Sequence, residues 1–496
     1  MSKITVRAEM KSPHRYFALA SLVIVGSAQS LLGTTVTNTG DSGPGSLRNA
    51  IANAINGETI NFNPALNGAT ITLTSGHLLI DNLALTLDAT SLPAGLTLSG
   101  NSLSRIFAVS GSSNVSLQNL KIRNGKAITE NGGGIFMAGG NLSMTNCTFS
   151  DCSATYNGGA IYLSVGVTST IERCAIVGNS TGSLGFGGGV FIGGSSTTLF
   201  RSCVISGNSS PFGGGFSIIN ASPTLTNCTV QGNAGGGFRN DSNSDLVIQN
   251  SIVWGNTTTG TTAAQQLANS NGSNPAVSYS LIEGAADSTS FADSNAVSWG
   301  AGNLNGSLLA SDPKFASALA AGSAPHSGGN LRLLSGSPAL DLGNNLADTG
   351  SLDLARSARI QNSTVDLGAY EGFFVTFAML HPTLTPGADD NHNGVTNFQE
   401  YAMGFDPTAA GNSSNPAMSF AGGFKFITLN QRPNAVDFSP LLMTSTTLDA
   451  WTEMVEGSHY SVESTTLVSS SRKTWVLRLI GTDAKRFYRQ GYVTVN

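Results

Sequence analysis

The sequence predicts an all-β chain built as a parallel β-helix, a solenoid of short strands. A capping helix stands at its N-terminal end and a small β domain follows it. Three observations lead there. Charged residues are 11% of 496 while hydrophobics hold at 40%, and 60 residues are glycine. Such a chain packs a core, turns often and spends few charges, unlike a disordered or coiled-coil sequence. A repeat recurs with a period of 22–29 residues, the mark of a solenoid. Inside each repeat, apolar residues alternate as in strands but slip by one residue at a fixed place. The formal net charge of -5 provides no basic footprint for nucleic acid.

Lys3, Arg7, Lys11 and Arg15 precede an apolar stretch from Tyr16 to Val25, and Gly26, Ser27 and Ala28 follow. A basic region, a short apolar core and small residues at the cleavage point read as a secretory signal peptide over residues 1–28. The apolar stretch is too short to span a bilayer, which needs about 20 residues. Its loss removes four cations and one anion, leaving a formal charge of -8. The mature chain is expected to hold no transmembrane segment, and its localisation to be secreted or cell-surface.

Ser46 can N-cap a short helix that places Leu47, Ile51 and Ile55 on one face, enough to cover an open first coil. The repeats that follow align on Leu120, Cys147, Cys174, Cys203, Cys228 and Ser251. Two residues later stands an apolar side chain in every unit, from Ile122 and Phe149 to Val253, and another stands three residues earlier, from Leu117 to Ile248. Next to the slip lie Asn119, Asn146, Asn227 and Asn250, with Arg173 and Ser202 as exceptions. Asparagine tolerates the left-handed backbone of a one-residue corner. Five residues after the alignment point, Asn179, Asn208, Asn233 and Asn256 form a column with Cys152 in the same slot one turn earlier. Stacked about 4.8 Å apart, these amides can hydrogen-bond along the axis. Glycine clusters open the next strand, as in Gly132–Gly134, Gly158-Gly159 and Gly187–Gly189.

Five cysteines in a secreted chain invite a disulfide reading, but the number is odd and four share one ladder slot. Buried, unpaired thiols are favoured over a Cys147–Cys152 or inter-coil bond. No CxxC or histidine partner suggests a metal site at these cysteines.

Several segments resemble known families. TVTNTGDSGPGSLRNAIA (Thr35–Ala52) resembles the N-terminal cap of bacterial secreted right-handed β-helix proteins. GGAIY (Gly158–Tyr162), GGGVF (Gly187–Phe191) and IxxN (Ile176–Asn179) look like the repeats of polymorphic outer-membrane proteins and related adhesins. DPKFA (Asp312–Ala316), LRLLSGSPALDLGN (Leu331–Asn344) and VDLGAYE (Val365–Glu371) resemble the choice-of-anchor Q module, which closes the C-terminal end of many such helices. The resemblance implies a right-handed parallel β-helix with its cap over residues 34–306 and a choice-of-anchor Q-like C-terminal part of the helix over 307–372.

Residues 373–410 read as a connector carrying a calcium loop. From Asp389 to Glu400, oxygen side chains fall at Asp389, Asn391, Asn393, Asn397 and Glu400, Gly394 takes the turning place, and Val395 can offer its carbonyl. This is the EF-hand ligand plan, with low ligand charge suited to weak extracellular calcium binding. A bare Asn/Gly turn that binds nothing is the alternative. The segment NFQEYAMGFDP beyond it looks like the calcium modules related to dockerin and thrombospondin type 3 repeats. In residues 418–496, Phe424–Leu429, Leu441–Ser445, Thr474–Leu479 and Tyr492–Val495 read as strands. STTLDAWTEM and KRFYRQGYVTV resemble a small C-terminal β domain of secreted planctomycete and verrucomicrobial proteins.

Between residues 110 and 256 the acids are Glu130, Asp151, Glu172, Asp241 and Asp245, and none shares a ladder position with another, as paired carboxylates for hydrolysis would. Glu172 and Arg201 do share one and read as a cross-coil ion pair. Trp254 faces outward, either as a sugar platform or, the favoured reading, under the next loop. No catalytic residues are assigned. The expectation is a non-enzymatic, adhesin-like or matrix-binding protein whose partner is an extracellular glycan or cell-surface component. The alternatives are a polysaccharide lyase or glycoside hydrolase, and a structural envelope protein.

Overall fold

The computed structural model describes residues 33–374, apart from 259–260, 292–296 and 348, and the backbone of seven strands between 417 and 494. The segment read as a signal peptide and the loop Asp389–Glu400 lie outside the described residues.

Residues 35–299 wind into stacked coils that form three parallel sheets of 11, 9 and 8 strands. In one coil, Asn141–Thr145 lies in the first sheet, Thr148–Ser150 in the second and Ile161–Leu163 in the third. Each pairs in register with the equivalent strand of the next coil, so Met144 meets Ile171, Phe149 meets Ile176 and Ile161 meets Val190. The expected parallel β-helix is therefore present. Its interior is a continuous apolar column from Val36 to Val297.

The corner between the first two sheets is a single left-handed residue. Asn119, Asn146, Asn227 and Asn250 have φ between 48° and 57°. Arg173 and Ser202 adopt the same conformation, at 50° and 52°, so the coil imposes the corner even where the side chain does not favour it. The glycine clusters answer a second demand. Gly158 has φ 67°, and a Cβ on Gly159 would collide with the carbonyl oxygens of Ser180 and Gly188. Coils at this edge approach too closely for any side chain.

The asparagine column is a buried amide ladder. The Nδ2 of Asn179 donates to Oδ1 of Asn208 (2.9 Å), Asn208 to Asn233 (2.9 Å) and Asn233 to Asn256 (2.8 Å). Each Oδ1 also accepts the backbone N–H of the preceding coil, and each Nδ2 reaches a backbone carbonyl. Gln266 closes the series by accepting from Asn256 (2.7 Å). The cysteine column runs beside it. All five thiols are free and buried. The N–H of Cys147 meets the Sγ of Cys174 at 3.4 Å, and Ser251 and Ser280 continue the pattern. Burial pushes the Cys152 thiol up to about 12, which leaves it inert as a nucleophile.

Helix Leu47–Ala52 covers the first coil, and the Ser46 side chain accepts from the Asn49 N–H as expected. Leu47 and Ile51 are buried, but the helix stops before Ile55, which is 60% exposed, so Ile55 is not part of the capping face. The cap is latched by Asp41. One of its oxygens accepts from Arg48 (2.7 Å), the other from the N–H groups of Thr74 and Ser75 (3.0 and 2.7 Å). Burial works to raise this carboxyl's pKa, but the bonds from Arg48, Ser75 and Thr74 outweigh it and hold it well below the ordinary 3.8.

Residues 313–372 add no coil. They turn back along the outside of the second sheet, which places this part on the flank rather than at the end of the helix. Phe315, Leu331, Leu333, Leu367 and Ala369 pack on Val204, Ile252 and Leu281. Polar ties accompany them: Leu319 with Gln231, His326 N–H to the Gly207 carbonyl (2.8 Å), Asn344 with Asn250, and Arg356 to Asn119 (2.9 Å). Outward positions of the second sheet turn from Lys121 and Thr148 to Val204, Ile252 and Leu281 along the chain. An apolar β face needs cover, and the returning segment supplies it.

Later in the chain, Ala417–Ala421, Phe424–Gln431, Tyr460–Ser469 and Arg472–Leu479 form one antiparallel sheet. Phe438–Ser445, Thr452–Glu453 and Phe487–Thr494 form another. The four strands expected here are present, and Ala417–Ala421, Thr452–Glu453 and Tyr460–Ser469 join them unforeseen.

Two outcomes follow from the ladder and the latch. Asn208→Ala removes both an acceptor and a donor from a dry column and orphans the Asn179 N–H, so stability should fall by about 3 kcal/mol. Thr197→Ala on the outer face should change it by less than about 0.5 kcal/mol. Denaturant unfolding distinguishes the two, and equal small effects would refute the ladder's role. For the latch, a depressed carboxyl stabilises the fold above its ordinary pKa and loses that contribution as pH falls through its folded value. Asp41→Asn should therefore lower the melting temperature near pH 7, with the gap closing below about pH 3.8; a gap that does not vary with pH would contradict it.

Candidate functional site

The edge between the second and third sheets gathers the surface best suited to a ligand. After the second-sheet strand, a short extra strand in three successive coils forms a small parallel sheet: Lys126-Ala127, Ser153-Ala154 and Ser180-Thr181. Ala127 and Ala154 turn inward and are buried, so Lys126, Ser153 and Ser180 stand in file on the outside. The loops leading to the glycine clusters rise beside them. Each carries a large apolar side chain that stays open to solvent: Ile128 is 56% exposed, Tyr156 44%, Leu184 75% and Phe212 48%. A groove of about 380 Å³ runs between, lined by Lys126, Ser153, Thr155, Tyr156, Ser180 and Leu184. Among the described residues, Lys126 has no ion-pair partner.

This chemistry fits an extended polyhydroxylated ligand. The hydroxyl file can exchange hydrogen bonds, the amine can meet an acidic substituent, and Tyr156 and Leu184 offer apolar walls for C–H faces. Other aromatics nearby are already used. Phe136, Tyr162 and Phe191 stack on one another along the third sheet at 5.2 and 4.9 Å, with rings within 11° of parallel. Arg105 covers the end of that stack, 5.0 Å from the Phe136 centroid. Their faces meet each other and are closed to a sugar. Phe186 is likewise engaged, stacked on Phe212 (5.1 Å) with the Arg239 guanidinium 4.9 Å from its ring centroid.

The acids of this region are engaged one by one. Glu130 pairs with Arg105, Asp151 with Arg123 at 3.0 Å, and Asp241 with Arg239. Glu172 contacts Arg173 and, as the ladder register implied, Arg201 at 3.4 Å. Asp245 accepts the Asn274 N–H at 3.3 Å. Burial works to raise the Asp241 pKa, but bonds from Asn271 and Ser270 and the Arg239 charge hold it below its ordinary value. A carboxyl so depressed is a poor proton donor near neutrality. Among the described residues, no three His, Cys, Asp or Glu side chains converge as a metal site.

Trp254 is half-buried in the cluster with Phe315 and Leu367, so it is covered as expected, but by the distant returning segment rather than by the next loop. The candidate calcium ligands Asp389, Asn391, Asn393, Val395, Asn397 and Glu400 lie outside the described residues. Tyr156, Leu184, Phe212 and Lys126 were not singled out from the sequence. Tyr156 stands two residues before its glycine cluster and Leu184 three, so their offset varies and no aligned column reveals them; Phe212 does align with Phe186, each one residue before its cluster. No helix among the described residues is long and apolar enough to cross a membrane.

A family model described as the right handed beta helix region matches residues 49–210 and 185–330. Among solved structures, the chain is similar to the crystal structure of pectate lyase Pel9A, at 14% identity with a TM-score of 0.41, over 68% of this chain and 96% of that one. At that score the likeness carries nothing about activity. No curated protein matches the chain.

Proposed function

The chain belongs to the right-handed β-helix family, and from that premise we propose that it is a non-catalytic, adhesin-like protein that binds an extracellular glycan or matrix component along the loop edge of its solenoid. One observation carries this reading: large apolar side chains stay exposed on four successive coils beside a file of hydroxyls and an unpaired amine. A soluble fold normally hides such a row, and where one persists beside polar groups it marks a contact surface. The individual pairing of the nearby acids with arginine supports binding over hydrolysis.

In this reading the basic and apolar segment at residues 1–28 directs secretion, and the small β domain serves attachment. Calcium bound by Asp389, Asn391, Asn393, Asn397, Glu400 and the Val395 carbonyl stiffens the connector between solenoid and C-terminal domain.

Purified protein offered polyuronides and neutral glycans, with and without calcium, tests the reading. Saturable binding without shortened products is expected. Tyr156→Ala should weaken it about tenfold, a loss of about 1.4 kcal/mol, as for one aromatic contact. Product formation would instead establish a polysaccharide lyase or glycoside hydrolase, and regular self-assembly with no ligand would point to a structural envelope protein. For the connector, calcium titration calorimetry should show binding in the range of about 10⁻⁴–10⁻³ M typical of extracellular modules. Glu400→Ala should abolish it; an absence of calcium-dependent heat in the unaltered protein would end the assignment.

A further inference from the structure

The returning segment holds its shape around a buried charge cluster that the binding edge does not use. Arg359 is 1% exposed, and its Nη2 donates to the carbonyls of Asp366 (3.1 Å) and Gly368 (2.6 Å). Three buried carboxylates surround it, and each ties two stretches of the segment through backbone N–H groups. Asp353 accepts from Ser357 and Glu371 (2.6 and 2.9 Å), and Asp366 from Asp341 and Gly372 (2.6 and 2.7 Å). Glu371 accepts from Gln361 and Asp366 (3.3 and 3.1 Å). Three acids thus face one buried guanidinium. Its Nε lies 3.7 Å from Glu371, and Nε and Nη1 have no hydrogen-bond partner among the described residues. The other charged or titratable neighbours are Asp341, Arg332, which stacks on Tyr370 at 5.2 Å, and Cys228 from the solenoid wall.

We propose that residues 313–372 form a pH-operated strap, closed over the second sheet while the cluster keeps a proton and loosened when all three acids ionise around Arg359. The anchoring contacts sit on the same stretch: the Asp366 carbonyl accepts from Asn227 (3.0 Å), and the Ala369 N–H donates to Thr229 (3.0 Å). Electrostatic strain at Asp366 and Glu371 is therefore applied where the strap grips the solenoid. Beneath it lie Val204, Ile252 and Trp254, so opening uncovers an apolar face.

The sign follows from burial. Desolvation and the neighbouring Asp366 push Glu371 from its ordinary 4.5 up to about 8, against the pull of Arg359. Desolvation pushes Asp366 from 3.8 up to about 6, and it raises Asp353 as well. The closed strap holds protons that the open one releases between these limits, so opening gains as pH rises from the ordinary carboxylate range to about 8. Above that value the gain levels off.

Hydrogen exchange by mass spectrometry on the full chain between pH 6 and 9, corrected for intrinsic exchange chemistry, reads this directly, with Trp254 emission as a second signal. Exchange across 341–372 should quicken about tenfold or more over that range, and Glu371→Gln should flatten the dependence while leaving the strap closed. Asp366→Asn provides a second variant if the first folds poorly, and it should lessen the slope. Arg356→Ala, which cuts the tie to Asn119, should quicken exchange at every pH without changing the slope. A pH-independent strap in the unaltered protein, or unchanged slopes in both acid variants, would overturn the proposal.

Discussion

Parallel coils in register set each side chain against its counterpart in the next coil, about 4.8 Å away. Every position must therefore tolerate a copy or near-copy of itself on both sides. Like charges fail this test, since directly opposed they repel. Amides pass it because each is donor and acceptor at once, as from Asn179 to Asn256. Flat rings pass by stacking, outside at Phe136–Tyr162–Phe191 and inside at Phe216–Phe238. The charge content of 11% is the compositional trace of this rule.

The rule also locates what is unusual. Where ladder neighbours do carry charge, they alternate in sign, as at Glu172 and Arg201. Where a column turns apolar on the outside, another part of the chain covers it, as residues 313–372 cover Val204, Ile252 and Leu281. The exposed Ile128, Tyr156 and Leu184 stand on loops, outside the ladder columns, whereas Phe212 is bridged to Phe186 and stacks on it. The stacking rule does not demand the first three, and among the described residues no later segment hides them, so they stand out as a contact surface.

Much of the solenoid was legible in the sequence because its demands recur. The corner asparagines, the amide column, the free cysteines and the Ser46 cap each follow from a repeated position or a local rule. What escaped was what does not recur. The path of 313–372 depends on tertiary cover, although the drift of outward positions from Lys121 to Leu281 was its trace. Motifs such as VDLGAYE gain a physical reading only in three dimensions, where Asp366 and Glu371 close on an arginine outside the motif, Arg359. Tyr156 and Leu184 stayed hidden because their distance from the glycine cluster differs from coil to coil.

The loop edge between the second and third sheets is the proposed contact surface. Exchange footprinting of the full chain with a bound glycan tests it most directly. Protection confined to residues 126–130, 153–157, 180–186 and 209–213 is predicted, with the outer face of the first sheet unchanged. Protection centred on that first-sheet face, or on no part of the solenoid, would contradict the account.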